Sequence, residues 1–433
     1  MGFRTSLLVA LLLLNAFAYL AMRRAVEHWV REAARRRVML ALHLGFLLLN
    51  LPLAVFFFRE LNAALLRVPT AVLEVVFYPS TAWLTTLIAF FLLAGPIAAI
   101  WGLVQLGERG WRRLRSRAGL GNVGSAPDLS RRGFLAGSAG LLVPGIYAVA
   151  AYGAYGSLND LDISEQRDIV MPRLPRSLDG MTIVQLTDLH VGPYIREREL
   201  RALVGEVNSL RPDLVVITGD ILDWELASLP EAVSGLRGIE STLGVFAVLG
   251  NHDIYADRYS YAGPHRGGVK IADGLQTIGI RTLRNEVVEI GEGPERLALL
   301  GLDWLNPNPS SPNFYRYQQA ETRKVLGVLS QQAGAERAKL LLAHHPDTFG
   351  DAIPFGIDLT LSGHTHGGGQ VLLGTWRGIP LGIGLVRFKY LSGLYQEQGL
   401  SLYVNRGIGY LGVPIRINCP PEISRFRLTS QAA

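Results

Sequence analysis

Seven side chains able to ligate a divalent metal follow five short apolar runs in this 433-residue chain. Thr182–Leu186 leads to Asp188 and His190, and Leu214–Thr218 leads to Gly219-Asp220. Residues 245–249 lead to Gly250-Asn251-His252-Asp253, residues 340–343 to His344-His345, and residues 359–361 to Gly363-His364-Thr365-His366. Carboxylate, amide and imidazole donors without thiolate suit borderline divalent metals such as Mn, Fe, Ni or Zn. Asp188, His190, Asp220, Asn251, His344, His364 and His366 are too many for one ion that keeps an open position. They suffice for two ions that share a carboxylate. Two ions about 3.5–4 Å apart stabilise the attacking and leaving oxygens of an in-line displacement. A water bridging them has its pKa lowered enough to supply hydroxide near neutral pH. That is the chemistry of phosphate-ester hydrolysis. The one cysteine, Cys419, excludes a multi-thiolate site and an internal disulfide framework.

These ligands need elements that deliver them to one place. Short, unbroken apolar runs fit strands buried on both faces. Open α/β sheets collect their ligands at the carboxyl ends of such strands, where every one of these residues falls. Helices are expected between the runs, over Glu197–Ser209 and over residues 320–333. Residues 257–308, richer in Gly and Asn, are expected to form loops around the site. Residues 401–423 read as further strand material around Asn405-Arg406-Gly407.

Asp188-Leu189-His190, Gly219-Asp220, Gly250-Asn251-His252-Asp253, His344 and Gly363-His364-Thr365-His366 together resemble the five motifs of calcineurin-like metallophosphoesterases. Order, strand context and spacing all match, over roughly residues 180–425. The His-Thr-His-Gly run and the tail Asn418-Cys419-Pro420-Pro421-Glu422-Ile423 resemble the membrane-associated bacterial branch. The resemblance implies an α/β fold, a four-layer αββα sandwich. It implies that Asp188, His190 and His366 bind one metal, that Asn251, His344 and His364 bind a second, and that Asp220 bridges them. His252 would face the substrate as transition-state stabiliser or leaving-group acid, oriented by Asp253. Two departures stand out. His345 adjoins His344 where the family supplies one ligand, and His344 is preferred because it directly follows the apolar run. Three glycines (Gly367, Gly368 and Gly369) precede Gln370 where relatives typically show two, which is expected to reshape the substrate mouth and leave the ligands in place.

The N-terminal part has another character. Residues 1–140 carry 16 Arg, no Lys and six acidic residues, a net of +10, whereas the remainder has 26 basic and 30 acidic residues. A nucleic-acid-binding domain would concentrate basic residues on the globular part, so no nucleic-acid surface is expected. Residues 5–22, 38–58, 81–106 and 134–155 are each apolar over about the length that crosses a bilayer as helix. An all-α transmembrane region of about four helices over 1–155 is therefore expected, then a linker over 156–180 and a catalytic domain over 181–433. Residues 68–78, interrupted by Glu74 and followed by Pro79, read as an interfacial segment. The first and third connections hold the arginine clusters, and positive loops stay in the cytoplasm. The catalytic domain is thus expected on the extracytoplasmic side of the cytoplasmic membrane. Ser130-Arg131-Arg132-Gly133-Phe134-Leu135 resembles a twin-arginine export signal. Positive-inside flanking explains the same arginine pair equally.

The expected function is a membrane-anchored hydrolase of phosphate mono- or diesters, acting through a metal-bridging hydroxide on lipid-linked or envelope substrates. The competing reading is a catalytically inactive metal-binding sensor or signalling module on the same fold. Loss of the bridging Asp or of His252 would favour it, and both are present.

Overall fold

The computed structural model describes residues 3–50, 64–117, 131–156, 161–163, 167–256, 266–292, 296–305, 314–376 and 379–431. The chain divides into two compact units, one comprising Met1–Ala64 with Ala71–Tyr155, the other Leu65–Thr70 with Gly156–Ala433.

The first unit is helical, with α1 (Phe3–Trp29), α2 (Glu32–Asn50), α3 (Thr70–Arg117) and α4 (Arg131–Gly156). Aromatic and polar contacts join its helices, beside buried aliphatic residues such as Leu11, Leu73 and Leu87. Tyr19 of α1 meets Phe46 of α2 at 5.3 Å, and Trp83 of α3 donates through Nε1 to the Asn15 amide oxygen of α1 at 3.2 Å. Tyr155 of α4 donates through its hydroxyl to the Glu74 carbonyl of α3 at 2.8 Å. Large apolar side chains point outward instead, among them Leu12, Leu13, Phe17, Leu47, Leu48, Val75 and Phe91. A water-soluble bundle places such residues the other way round.

The structure departs here from the expected segmentation. α3 runs without interruption through Pro79, so residues 68–78 are not a separate interfacial segment. The hydroxyls of Ser80 and Thr81 donate to the carbonyls of Val76 and Phe77, each at 2.9 Å. Both bonds run back one turn along the helix, to the carbonyls four residues earlier. Among the described residues, one segment, Thr70–Leu92, is long and apolar enough to cross a membrane, and it starts eleven residues before the span expected there. Residues 51–58 of the second expected span lie outside the described residues, as does Ser130 of the arginine-pair motif.

The second unit is built on two mixed sheets. The first contains β1 (Asp162–Ile163), β2 (Arg167–Val170), β3 (Thr182–Leu186), β4 (Leu214–Thr218), β5 (Val245–Val248), β6 (Ile280–Thr282) and β15 (Glu422–Thr429), in the order β1-β15-β3-β4-β5-β6 with β2 also on β15. The second contains β7 (Glu286–Ile290), β8 (Leu297–Leu302), β9 (Lys339–Ala343), β10 (Leu359–Ser362), β13 (Gly393–Glu397) and β14 (Leu400–Val404), in the order β13-β14-β10-β9-β8-β7. The strands β3 to β6 are mutually parallel, as are β8, β9, β10 and β14. Helices α5 (Glu197–Ser209), α6 (Leu229–Leu236), α7 (Arg266–Gln276) and α8 (Phe314–Ala333) occupy the crossovers that parallel strands require.

Strand periodicity explains the layering. Leu214, Val216, Phe246 and Val248 of the first sheet meet Leu340, Leu342, Leu359 and Leu361 of the second in one core. The alternate residues Leu341 and Ala343 of β9 turn the other way, onto Leu326, Leu329 and Ala333 of α8. A strand covered on both faces needs apolar side chains at both periods. This is why the runs are continuous rather than alternating.

Within the expected linker, the described residues 162–163 and 167–170 are strands of the first sheet. Asp162 pairs with Glu422 and Arg167 with Phe426, while Met171, Leu174 and Leu178 join the inter-sheet core. The tail holds two strands, β14 and β15, at either end of the stretch read as strand material.

Candidate metal centre

Five of the parallel strands, β3, β4, β5, β9 and β10, lead into metal-competent residues, and the backbone at several of these is strained. Asp188, His190, Asp220, His364 and His366 have φ of 50°, 46°, 51°, 71° and 47°. Left-handed conformations cost non-glycine residues about 1–3 kcal/mol each and persist where the surroundings over-determine them. The staples are visible. The amide of Asp188 donates to the Gly219 carbonyl at 2.9 Å, that of His190 to the Asp220 carbonyl at 3.0 Å, and that of Gly363 to the His344 carbonyl at 3.1 Å. Gly250 is needed for close approach, since a Cβ there would stand 2.6 Å from the Asp220 amide nitrogen and closer still to its carboxylate. Gly368, at φ 100°, lets Gly382 pack against it.

The loops bring the residues together. Asp188, His190 and His366 form one group of ligand atoms, and Asp220, His344 and His364 a second. The imidazole Nε2 atoms of His190 and His366 stand 2.9 Å apart, and His366 Nε2 is 3.3 Å from Asp188 Oδ1. His344 Nε2 lies 3.0 Å from Asp220 Oδ2, and His364 Nδ1 lies 3.2 Å from His344 Nε2. Asp220 Oδ2 is also 3.7 Å from His190 Nε2, so its carboxylate faces both groups. His344 directs its Nδ1 to the Thr218 carbonyl at 2.7 Å, which leaves Nε2 for a ligand. His345 is not in either group. Its Nδ1 accepts from the Asp347 amide at 3.1 Å, and its ring packs beside Trp304 and Phe388. The Asn251 side-chain oxygen is buried without a hydrogen-bond partner, as a metal-directed amide would be. The donor set therefore fits divalent metal.

Electrostatics agree. Burial alone would raise the carboxyls of Asp188 and Asp220, yet the surrounding imidazoles hold both well below the usual range. Against its burial, His190 is pushed up to about 10 by Asp188, Asp223 and Asp220, and His344 up to about 9 by Asp220 and Asp188. Burial takes His366 down to about 3, helped by His190 and Arg416, and sends His364 well below its ordinary value. The carboxylates thus favour the charged form of His190 and His344, whereas burial disfavours it at His364 and His366.

The role expected for Asp253 is corrected. Its carboxylate accepts from the backbone amides of Leu222, Gly250 and Ile221 at 2.9, 3.0 and 3.1 Å, so it fixes loops and does not orient His252. Neighbours in one turn of helix point to different sides. The carboxylate beside His252 belongs to Asp223, whose Oδ1 is 3.3 Å from His252 Nδ1 and 3.6 Å from His190 Nδ1. Its only sequence signal was a second aspartate three residues after Asp220. Trp224, also overlooked, covers the His252 ring at 3.8 Å between centroids. His252 donates its amide to Asp220 Oδ1 at 2.8 Å, and its Nε2 is 4.0 Å from Asp220 Oδ2. Burial lowers the His252 pKa while Asp220 and Asp223 support it. Arg416 is a further addition. This buried guanidinium donates to the carbonyls of Arg406 and Cys419 and stands 3.4 Å from His366 Nδ1.

Comparison with known proteins gives the class. The calcineurin-like phosphoesterase family pattern matches residues 181–368. The metallophosphoesterase YkuE of Bacillus subtilis is 32% identical over 70% of this chain and 98% of its own length. A transmembrane protein with metallophosphoesterase domain from Danio rerio is 30% identical over 71% of this chain and 67% of its own. A dimetal phosphatase structure from Danio rerio aligns over 53% of this chain and 88% of that one, at 15% identity and a TM-score of 0.32. The chain belongs to the calcineurin-like metallophosphoesterases, and is a metal-dependent phosphoesterase.

Proposed function

We propose that this protein is a membrane-anchored phosphoesterase with a dinuclear metal centre, hydrolysing phosphate mono- or diesters. The observation that carries the reading is the Asp220 carboxylate, set between the group of Asp188, His190 and His366 and the group of His344 and His364. Asp188, His190 and His366 would hold one ion, Asn251, His344 and His364 the other, and Asp220 both. Mn, Fe, Zn and Ni all suit these donors. The ions would supply positive charge against the phosphoryl oxygens and lower the pKa of a water toward neutrality.

The chain's own residues do the rest. His252 presents Nε2 to the site and gives its proton to the departing ester oxygen, the usual task of an imidazole near neutral pH. Asp223 holds the opposite ring nitrogen and supports the protonated form, while Trp224 fixes the ring plane. Asp253 locks the Asp220 loop to the Asn251 loop. An inactive sensor would need none of this arrangement around His252.

The outward apolar surfaces of α1, α2 and α3 support membrane anchoring, as does the name of the Danio rerio relative. The arginine distribution supports four spans, with the catalytic unit on the extracytoplasmic side of the cytoplasmic membrane. The test of the chemistry is direct. Metal-stripped full-length protein, reloaded with Mn, Fe, Zn or Ni, should hydrolyse p-nitrophenyl phosphate or its bis ester. No turnover with any of the four refutes the proposal.

A further inference from the structure

Beside the site, the loop carrying His364 and His366 is covered by β11 (Leu372–Trp376), β12 (Ile379–Gly382) and the turn Ile383–Val386. The cover is tight. Cβ positions built on Gly368 and Gly384 would stand 3.2 Å from the Gly382 Cα and 2.9 Å from the Gly368 Cα respectively. Thr365 donates through Oγ1 to the Leu391 carbonyl, and the Phe388 ring lies 5.3 Å from the His364 ring. The outer side of this cover is apolar. Leu373, at the irregularity of the β11–β12 pairing between Leu372 and Gly374, is 81% exposed, Val386 is 91% exposed, and Leu385 is 41% exposed. A bulge that pushes a leucine into water opposes solubility unless something apolar receives it.

The charge of this stretch says what receives it. Residues 371–391 contain Arg377, Arg387 and Lys389 and no acidic residue. The Arg387 guanidinium lies over the Phe388 ring, one residue from Val386. Bulky apolar side chains flanked by cations and aromatic rings are the composition of segments that lie in the bilayer interface, where cations meet anionic headgroups. Lys389 is neutralised by Glu397 at 2.7 Å, so the cation left to meet a headgroup beside Val386 is Arg387.

We infer that this lip inserts Leu373, Leu385 and Val386 into a lipid surface, and that the adjoining site takes a phosphate ester carried on a membrane lipid. The inference rests on the phosphoesterase reading above and narrows its substrate class. Phe388 connects the two, its ring 5.4 Å from the Arg387 guanidinium and 5.3 Å from the ring of the metal-loop His364.

Full-length protein reconstituted in vesicles of phosphatidylcholine and phosphatidylglycerol provides the test. Cys419 is buried, so Val386→Cys can take an environment-sensitive fluorophore, with Val328→Cys on α8 as the control. Spin-labelled phosphatidylcholine should quench the label at 386 and not at 328. Equal quenching at the two positions overturns the lip. In the same vesicles, the L373S/V386S variant should lose roughly tenfold in rate on co-reconstituted phosphatidic acid. Its rate on p-nitrophenyl phosphate should stay within about twofold. A parallel loss on both esters, or no loss on either, overturns the substrate assignment, as does wild type that cleaves the soluble ester but not the lipid one. Wild type inactive on both esters refutes the phosphoesterase reading itself, and the quenching still decides the lip.

Discussion

Replacing Asp223 with Asn isolates the contribution of a carboxylate that is proposed to touch no metal. Asp223 Oδ1 stands 3.3 Å from His252 Nδ1, and the two side chains are 13% and 4% exposed. Opposite charges at that distance interact by about 5 kcal/mol at an effective dielectric of about 20. The imidazole is positive for only part of the reaction, and Asn keeps an oxygen that can accept its Nδ1 proton, so a fraction of that interaction is lost. Groups that orient an active-site imidazole are worth about 10–100-fold, or about 1.4–2.7 kcal/mol of barrier. The variant should therefore lose about 10–100-fold in kcat with KM little changed. Asp223 raises the His252 pKa against burial. Removing its charge lowers that pKa, so the protonated acid is lost at a lower pH and the alkaline limb of the rate profile moves down. Steady-state kinetics across pH, with metal content measured by mass spectrometry, decide the matter. Unchanged kcat refutes the orienting role. Loss of a metal equivalent would show that Asp223 acts through His190 Nδ1, 3.6 Å away.

Asp220→Asn should abolish turnover and reduce bound metal while circular dichroism stays that of wild type; near-normal turnover would contradict the shared-carboxylate assignment. His344→Ala should deplete metal far more than His345→Ala, because His344 faces Asp220 whereas His345 packs beside Trp304 and Phe388; equal depletion in metal analysis would place the ligand one residue along. Gly250→Ala should destabilise the catalytic unit by about 1–3 kcal/mol in denaturant unfolding, since the new methyl meets both the buried Asp220 carboxylate and its backbone nitrogen; wild-type stability would show that the loop has slack. A reporter fused after Ala433 should be active only outside the cytoplasm, and R131K/R132K should strand it inside if the pair is an export signal; export unchanged in that variant would assign both arginines to positive-inside flanking.

The sequence disclosed those features in which chemistry and periodicity coincide. Residues 340–343 had to be a strand covered on both faces, and a strand so covered had to present His344 at its carboxyl end. The clustered aspartates and histidines were legible because metal binding restricts residue type. Asp223 was not, because a carboxylate that orients a ring can come from any neighbouring loop, and the adjacent Asp253 was nearer in sequence. Pro79 misled for a related reason. Its missing donor normally ends a helix in water, but here the helix from Thr70 continues through it to Arg117. The strands β1 and β2 were missed because Asp162–Ile163 and Arg167–Val170 are too short and polar to show a period.

Strand β15 sits between β1 and β3 in the first sheet, pairing parallel to one and antiparallel to the other. It is made after every other strand. As the chain leaves the ribosome, β3, β4 and β5 can collapse, but the place beside β3 stays open until residues 422–429 appear. Arg416, which closes under His366, also arrives late. The nascent catalytic unit is thus held incomplete until residues 422–429 have been made. A nonsense mutation ahead of residue 422 would leave β3 with an unpaired edge, a fault that quality-control proteases recognise.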